Sequence, residues 1–257
     1  METIGLIAAM PQESKALLRC IREWETINLG AFRGQYFELS GQTCVLVTSG
    51  MGVRRASEAA RNLVEMNAPR LLISFGIAGA VEADLEIGDV VAAEAACRLD
   101  QGIPGPLLPL TPLPEAARKA AVQVLARRGA RLFAGTAVTA GISQAIEYQL
   151  GEMKHPILEM ETTGIAQVAA EKGIPLLSLR AISDGPCAPI PFNLIEIMDE
   201  DANLQFGRML KVVVRRPGIV LQFRRLIRNT WIAADNAAVA LVAVLSQLNT
   251  IRQLHNS

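Results

Sequence analysis

Residues 3–13 read TIGLIAAMPQE, a nearly continuous apolar run that stops at a Met-Pro pair and leads into a helical pattern. Apolar runs without alternation are typical of strands that are buried on both faces, as in a parallel sheet. Proline after the run suits the first turn of a helix. The stretch therefore predicts a strand over residues 3–9 and an amphipathic helix over residues 13–22, with Glu13 in its first turn.

The same alternation of apolar runs and helical patterns continues along the chain. Strands are predicted at residues 35–40, 43–49, 70–76, 87–94, 132–139 and 175–183. Helices are predicted at residues 53–66, 115–128, 159–172, 199–214, 217–229 and 231–252. This order predicts an α/β protein with a central mixed, largely parallel sheet flanked by helices on both faces. No internal repeat or linker is visible, so we expect a single domain over residues 1–257.

The composition excludes several classes of protein. The chain has 257 residues, 51% of them hydrophobic, with 25 basic and 25 acidic side chains. Intrinsic disorder needs low hydrophobicity and high net charge, and a nucleic-acid binder normally shows a basic excess. The longest uncharged apolar stretches, at residues 71–81 and 237–245, are shorter than the ~20 residues that span a bilayer. Because the first residues show no signal-peptide pattern, we expect a cytoplasmic protein.

The cysteines and histidines do not cluster along the chain. Cys20, Cys44, Cys97 and Cys187 lie far apart, and the sequence has only two histidines. A zinc site made of ligands at the usual short spacings is therefore not expected. The cysteines are interpreted as reduced thiols, and we expect neither a metal nor a cofactor.

Candidate functional residues follow four of the predicted strands. Ligands of open α/β sheets bind beyond the carboxyl ends of the strands. Two of these ends are glycine-rich, at residues 49–52 (Ser-Gly-Met-Gly) and 75–79 (Phe-Gly-Ile-Ala-Gly), and are interpreted as turns that a ligand can approach closely. The other two ends present one carboxylate each, Glu13 and Asp184. Taken alone, Glu13 also suits a helix N-terminus, and Asp184 also suits a turn or helix cap.

Residues 50–55 read Gly-x-Gly-x-x-Arg between a strand and a helix, which raises a dinucleotide-binding alternative. That motif needs a small third residue where the helix meets the strand, and this chain has Arg55 there. No glycine loop is followed by the Gly-Lys-Ser/Thr of a phosphate-binding loop, and no serine-hydrolase elbow is present. A dinucleotide-dependent oxidoreductase therefore remains only as an alternative.

Five motifs in order resemble the nucleoside phosphorylase and nucleosidase superfamily, and within it the methylthioadenosine/adenosylhomocysteine nucleosidases. They are found at residues 4–13, 49–52, 74–91, 159–166 and 180–184. The resemblance implies a phosphorylase/hydrolase-like three-layer fold. It also implies cleavage of the N-ribosidic bond of a 5′-substituted adenine nucleoside, with release of adenine and without a cofactor. Sites in this superfamily usually borrow residues from a neighbouring subunit, which implies a homo-oligomer.

The resemblance assigns a role to each candidate side chain. Asp184 is the general acid that protonates the departing purine, and Glu13 orients or deprotonates the attacking water. Glu161 accepts hydrogen bonds from the ribose hydroxyls, and Met160 packs against the sugar. The remaining substrate-binding candidates are Ser49, Gly50, Gly76, Ile77, Ala78, Gly79 and Ser183. Taken alone, Glu161 is equally typical of a solvated helix residue, and Met160 of a core residue.

The chain departs from the family pattern at the second glycine turn. The small nucleosidases have a serine where this sequence has Ile77, and a glycine where it has Ala80. Because that serine borders the water or phosphate site, an apolar side chain there favours hydrolysis over phosphorolysis. A phosphorylase that holds phosphate through Arg54 or Arg55 remains an alternative, as does a nucleoside-binding protein without catalytic activity.

A second departure is a predicted helical insertion at about residues 186–231. Within it, residues 211–228 combine bulky apolar side chains with a local basic excess, a pattern suited to the surface of an anionic membrane. The insertion resembles the nucleosidase branch of hopanoid lipid biosynthesis, which implies a lipid-linked adenosyl-hopane substrate, ahead of methylthioadenosine or adenosylhomocysteine. Packing of residues 211–228 on the core or in a dimer interface is the alternative.

Overall fold

The computed structural model describes residues 3–141, 150, 153–186 and 219–255. In this part of the chain the strands are β1 (Thr3–Ala8), β2 (Glu25–Leu29), β3 (Phe32–Leu39), β4 (Gln42–Thr48), β5 (Leu71–Ala80), β6 (Val90–Asp100), β7 (Ile103–Pro104), β8 (Leu108–Pro109), β9 (Leu132–Thr139), β10 (Pro156–Glu159) and β11 (Leu176–Asp184). The helices are α1 (Pro11–Leu18), α2 (Val53–Asn67), α3 (Glu115–Ala126), α4 (Thr162–Lys172) and α5 (Ile219–His255).

The described strands form one mixed sheet in the order β10-β9-β6-β11-β5-β1-β4-β3-β2, with β7 and β8 paired to β6. Five neighbouring pairs are parallel, namely β1–β4, β1–β5, β5–β11, β6–β9 and β9–β10. β10 also pairs antiparallel with β5, which closes β5, β11, β6, β9 and β10 into a ring. The predicted mixed, largely parallel sheet is confirmed.

Two hydrophobic clusters hold the helices on opposite faces of the sheet. Along β1, Ile4 and Leu6 belong to the cluster that includes α1, α3 and α5, whereas Ile7 belongs to the cluster of α2 and α4. This alternation is what a strand buried on both faces requires. The apolar run that opens the sequence is therefore the central layer of a three-layer structure, as predicted.

Two predicted elements near the candidate site are wrong. Residues 75–79 are not a turn but part of β5, which continues to Ala80 because this half of the strand pairs with both β11 and β10. Met160 and Glu161 are not inside a helix but link β10 to α4. The helix begins late because the Glu159 carboxylate accepts hydrogen bonds from the backbone N–H groups of Glu161 (2.9 Å) and Thr162 (2.7 Å).

The C-terminal helices predicted at residues 217–229 and 231–252 are one helix, α5. Asn229 and Thr230 lower helix propensity but do not break a helix that packs on a core. The helix predicted at residues 199–214, and most of the predicted insertion at 186–231, lie outside the described residues. The single-domain assignment of the whole chain therefore stays a prediction.

Helix α5 contains a segment, Arg224–Leu248, that is long and apolar enough to cross a membrane by length and composition alone. Within its most apolar 18-residue window, 56% of the residues are buried inside the fold. Its alanines contribute to the core, where small side chains let α5 approach α1, α3 and the sheet closely. Core packing accounts for the apolar composition of this segment.

Candidate active site

The parallel strands β11, β5, β1 and β4 lie side by side, so their carboxyl ends meet at one edge of the sheet. This edge carries Glu13, residues 49–52, the last half of β5 and Asp184. β10 runs antiparallel to β5 with Leu158 opposite Gly79, so the chain beyond Glu159 returns along β5 toward Gly76. All the candidate residues from the sequence therefore lie at this edge.

The Glu13 carboxylate is buried against β5, with only 1% of the residue exposed. Its Oε2 accepts a hydrogen bond from the Met10 N–H (2.8 Å), and its Oε1 accepts one from the Ile77 N–H (2.9 Å). Gly76, at φ +155°, makes room for it, because a Cβ there would lie 2.3 Å from Glu13 Oε1. Burial raises the pKa of Glu13, and the charge of Arg180 partly offsets that rise.

The Glu161 carboxylate is also buried, and the alternative of a solvated helix residue is wrong. Its Oε1 accepts a hydrogen bond from the Gly52 N–H (3.0 Å), and its Oε2 lies 3.4 Å from Arg180 Nη1. Burial raises the pKa of Glu161 to about 7; Arg180 opposes the rise, and the nearby charge of Glu159 adds to it. This carboxyl group therefore changes its charge near neutral pH.

Arg180 joins the buried carboxylates, although the sequence analysis did not assign it a role. It is 1% exposed; its Nη2 donates to Ser74 Oγ (2.9 Å) and Glu159 Oε2 (3.0 Å). Glu159 also accepts a hydrogen bond from the Thr139 hydroxyl. The sequence does contain a signal for Arg180, which is an arginine inside the apolar run of β11. A charge that is buried in a strand requires a partner.

Asp184 ends β11 and lies opposite Gly79. The Ser183 hydroxyl donates to Asp184 Oδ1 (2.6 Å), and a Cβ on Gly79 would lie 2.9 Å from Asp184 Oδ2. Burial raises the pKa of Asp184, and the hydrogen bond from Ser183 opposes the rise. Gly79 is three residues beyond Gly76, so Asp184 lies about 10 Å along β5 from the Glu13 carboxylate.

The turn at residues 49–52 follows β4 and borders a cavity. The Ser49 hydroxyl donates to the carbonyl of Gly50 (2.7 Å) and contacts that of Ala8 (3.3 Å), so it stabilises the turn itself. Gly50 and Gly52 have φ values of +80° and +97°, and a Cβ on Gly52 would point into open space. Gly52 and Met160 line a cavity of about 400 Å³, a size suited to a small ligand.

The structure groups the candidates into two sets. The first set surrounds Arg180 and consists of Glu13, Gly76, the backbone N–H of Ile77 and Glu161, with Gly52 and Met160 beside them. Ser183, Ala78 and Gly79 surround Asp184. The buried Ser49 hydroxyl contacts the backbone carbonyls of Ala8 and Gly50, and Gly50 lies against the Arg55 side chain.

Comparison with known proteins identifies the family. The family model of the phosphorylase superfamily matches residues 3–221, and the chain belongs to this superfamily.

Relatives within the superfamily are nucleosidases. A 5′-methylthioadenosine/S-adenosylhomocysteine nucleosidase of Marinomonas sp. (strain MWYL1) is 28% identical over 82% of this chain and 99% of its own length. The nucleosidase of that name from Neisseria meningitidis, solved with methylthio-immucillin-A, superposes with a TM-score of 0.69 at 21% identity, covering 96% of this chain and all of its own (100%). A futalosine hydrolase mutant of Helicobacter pylori strain 26695 superposes with a TM-score of 0.70 at 16% identity, with the same coverage of 96% and 100%. The predicted superfamily, fold and nucleosidase class of enzyme are confirmed.

Proposed function

We propose that this protein hydrolyses the N-ribosidic bond of a 5′-substituted adenine nucleoside and releases adenine. The observation that carries the proposal is the buried network of Glu13, Arg180 and Glu161 at the same sheet edge as Asp184. The two sets of acidic groups are separated along β5, as is required if one set acts on the sugar and the other on the base.

The acidic groups around Arg180 suit a sugar that becomes positively charged. Cleavage of the N-ribosidic bond leaves an oxocarbenium-like ribose and an anionic purine. Glu13, Glu159 and Glu161 outnumber the one arginine among them, so this part of the site carries negative charge when they are ionised. Ionised Glu161 accepts hydrogen bonds from the ribose hydroxyls and stabilises the developing positive charge.

Asp184 supplies the proton that the purine needs in order to leave. A carboxyl group whose pKa is raised by burial stays protonated closer to neutral pH and can act as a general acid. The Ser183 hydroxyl fixes the carboxyl group through Oδ1, which leaves Oδ2 to face the base.

Glu13 holds the attacking water. The N–H groups of Met10 and Ile77 fix both of its oxygens, and each oxygen keeps a further lone pair for a water molecule. The position of the carboxylate is thus set by backbone, which orients the water toward the sugar without further rearrangement.

Hydrolysis is favoured over phosphorolysis by the same charges. A phosphate dianion beside Glu13, Glu159 and Glu161 would meet like charge, and Arg180 is already paired with two of these carboxylates. Purine nucleoside phosphorolysis stays the second candidate, because the Arg55 side chain lies against Gly50 in the turn at residues 49–52, where a phosphate could meet it.

An adenine-release assay tests the reaction. We expect adenine and the free sugar to form at equal rates with and without phosphate in the buffer, from methylthioadenosine, adenosylhomocysteine and an adenosyl-lipid extract, with inosine as the control nucleoside. Chromatography of both products measures the rates. Dependence on phosphate, with formation of a sugar phosphate, would establish the phosphorylase instead. Tight nucleoside binding without any turnover would establish a protein without catalytic activity.

We further propose that the 5′-substituent is a lipid of the adenosyl-hopane type, with methylthioadenosine and adenosylhomocysteine as the competing substrates. Two features of this chain support it. Ile77 is a half-buried apolar residue of β5 between Gly76 and Gly79, the two glycines that contact the Glu13 and Asp184 side chains. Residues 202–234 contain seven arginine or lysine side chains and no acidic one. The name of the Marinomonas relative supports the competing substrates.

The first described turns of α5 support contact with an anionic membrane. Arg224, Arg225 and Arg228 are exposed there, next to the exposed apolar side chains of Ile227 (43%) and Trp231 (36%). Arginine with exposed isoleucine and tryptophan is the combination that inserts into a headgroup region. We therefore propose that the protein binds membranes peripherally through residues 211–228 and works at the cytoplasmic face.

Vesicle flotation tests this contact. Reversing Arg224, Arg225 and Arg228 to glutamate should lower partitioning onto anionic vesicles by about 100-fold or more, since each cation contributes ~1 kcal/mol near such a surface. The matched control reverses Arg118, Lys119 and Arg127, which are exposed on or beside α3. Equal flotation of both variants and the wild type would reject the membrane contact.

A further inference from the structure

A group of potential metal ligands lies at the far end of β5, away from Glu13 and Glu161. Glu82 and Asp84 are in the loop that follows β5, and His155 immediately precedes β10. One ligand atom from each side chain lies within 4.8 Å of the other two. A metal site was not expected from the sequence, because His155 is distant from Glu82 and Asp84 along the chain. The fold joins them, since the Val81 N–H reaches the carbonyl of Pro156 (3.4 Å).

The hydrogen bond of His155 decides which ring nitrogen faces the carboxylates. Nδ1 lies 3.0 Å from the carbonyl oxygen of Ala134, and a carbonyl can only accept, so Nδ1 carries the hydrogen. In the neutral ring Nε2 is then a free lone pair, and it lies 3.6 Å from Asp84 Oδ2. Histidines that bind a metal through one ring nitrogen usually donate the other N–H to a carbonyl or a carboxylate, as His155 does here.

The aromatic ring of Phe133 also supports His155. The two ring centroids are 4.8 Å apart at an interplanar angle of 55°. The imidazole is therefore held from two sides, by Phe133 and by the Ala134 carbonyl, before any ion binds. A ligand that is fixed in advance loses little conformational freedom on binding.

The side chain of Arg131 is nearby, but it does not take the position of a cation between Glu82, Asp84 and His155. Arg131 pairs with the buried Asp89 carboxylate (2.6 Å) and donates to the backbone carbonyl of Asp84 (2.7 Å), not to its carboxylate. Its Nη2 is 3.7 Å from Glu86 Oε1. The carboxylates of Glu82 and Asp84 and Nε2 of His155 thus bring acceptor atoms together, an arrangement that a metal ion can stabilise.

We propose that Glu82, Asp84 and His155 Nε2 bind a divalent transition-metal ion of the Zn²⁺, Co²⁺ and Ni²⁺ class, with water in the remaining positions. Imidazole with carboxylates is a ligand set that these ions accept. The ion ties the loop after β5 to the start of β10. Because β10 and Asp184 both pair with the end of β5, the ion stabilises the edge on which Asp184 stands.

Cobalt titration of the full-length, tag-free protein tests the proposal. The chain has two histidines, so the ring signals of His155 and His255 can be followed separately by NMR. We expect one equivalent of Co²⁺ to shift or broaden the His155 signals while leaving those of His255 unchanged, and to raise the melting temperature. A background with Cys20→Ser removes, as a competing ligand, the one exposed thiol among the three cysteines that the structure describes.

Three variants assign the ligands. His155→Asn, Asp84→Asn and Glu82→Gln should each weaken Co²⁺ binding at least tenfold; asparagine tolerates the positive φ of His155 (+35°). Glu86→Gln, in the same loop but outside the group, is the matched control and should bind like the wild type. Absence of binding, or binding unaffected by all three variants, would overturn the proposal and leave an Asp84–His155 ion pair. The assay does not involve nucleoside cleavage, so its outcome is separate from that of the proposed function.

Discussion

Replacing Asp184 with asparagine is expected to lower kcat for adenine release at least about 100-fold, since a positioned general acid contributes 10²–10⁴-fold. The amide has the same shape and can still accept the hydrogen bond from Ser183, but it cannot deliver a proton to the purine. Folding should be preserved. Burial raises the pKa of Asp184, so the ionised carboxylate costs stability at neutral pH, and the neutral amide removes that cost. Product chromatography and denaturant unfolding, both at pH 7, measure the two effects.

A substrate with a better leaving group makes this test specific. The leaving group of a p-nitrophenyl riboside is a stabilised phenolate, which needs no proton. Asp184→Asn should therefore cleave this substrate nearly as fast as the wild type does. Asp235→Asn, a half-exposed aspartate on α5 that pairs with Arg19, is the matched control and should leave both reactions unchanged. Turnover of the adenine nucleoside at the wild-type rate by Asp184→Asn would place the general acid elsewhere.

The fold was predictable wherever a strand is buried on both faces. The runs that became β1 and β9 are apolar apart from threonines, and their predicted positions agree with the structure within a residue. The edge strand β2 was missed because its exposed polar residues, Glu25, Thr26 and Asn28, leave no apolar run. Gly76 and Gly79 indicated a turn, but both serve close contacts of β5 with the Glu13 and Asp184 side chains, which local sequence does not reveal.

The candidate site was predictable in part for the same reason. The rule that ligands bind beyond strand ends selected Glu13 and Asp184, and both lie at the expected edge. The rule could not select Arg180 and Glu159, because they lie inside β11 and at the end of β10, and their ion pair depends on the antiparallel pairing of β10 with β5. Strand order, not local pattern, decides which buried charges meet.

The buried charges also show that the site is held at a cost to stability. Glu13, Glu161 and Asp184 all have pKa values raised by burial, so each favours the neutral form in the folded protein. For Asp184 the neutral form is the one the reaction uses. For Glu161 it is not, because only the carboxylate can stabilise a positive sugar well. A neutral substitution of Glu161 should therefore raise the stability of the protein and lower its activity.

Glu161→Gln is expected to stabilise the protein at pH 8 while lowering kcat about 100-fold or more, the scale of a lost electrostatic contact to the transition state. The pKa of Glu161 is 4.5 when unfolded and about 7 when folded. The folded protein thus keeps this proton to a higher pH than the unfolded chain does. The contribution of the protonated Glu161 to stability is complete below pH 4.5, and it is lost as the pH rises through 7. The full difference corresponds to a penalty of up to about 3 kcal/mol above pH 7, which glutamine avoids. Denaturant unfolding at pH 8 and pH 4.5 measures it.

The pH dependence distinguishes this effect from ordinary repacking. The gain in the free energy of unfolding should shrink as the pH is lowered from 8 to 4.5, because Glu161 is then protonated in the folded wild type as well. Arg180 keeps its partner Glu159 in the variant, so no charge is left alone. Glu171→Gln, an exposed residue of α4 paired with Arg61, is the matched control and should change neither stability nor activity appreciably. A destabilised Glu161→Gln at pH 8, or one with wild-type turnover, would contradict the proposed role of this carboxylate.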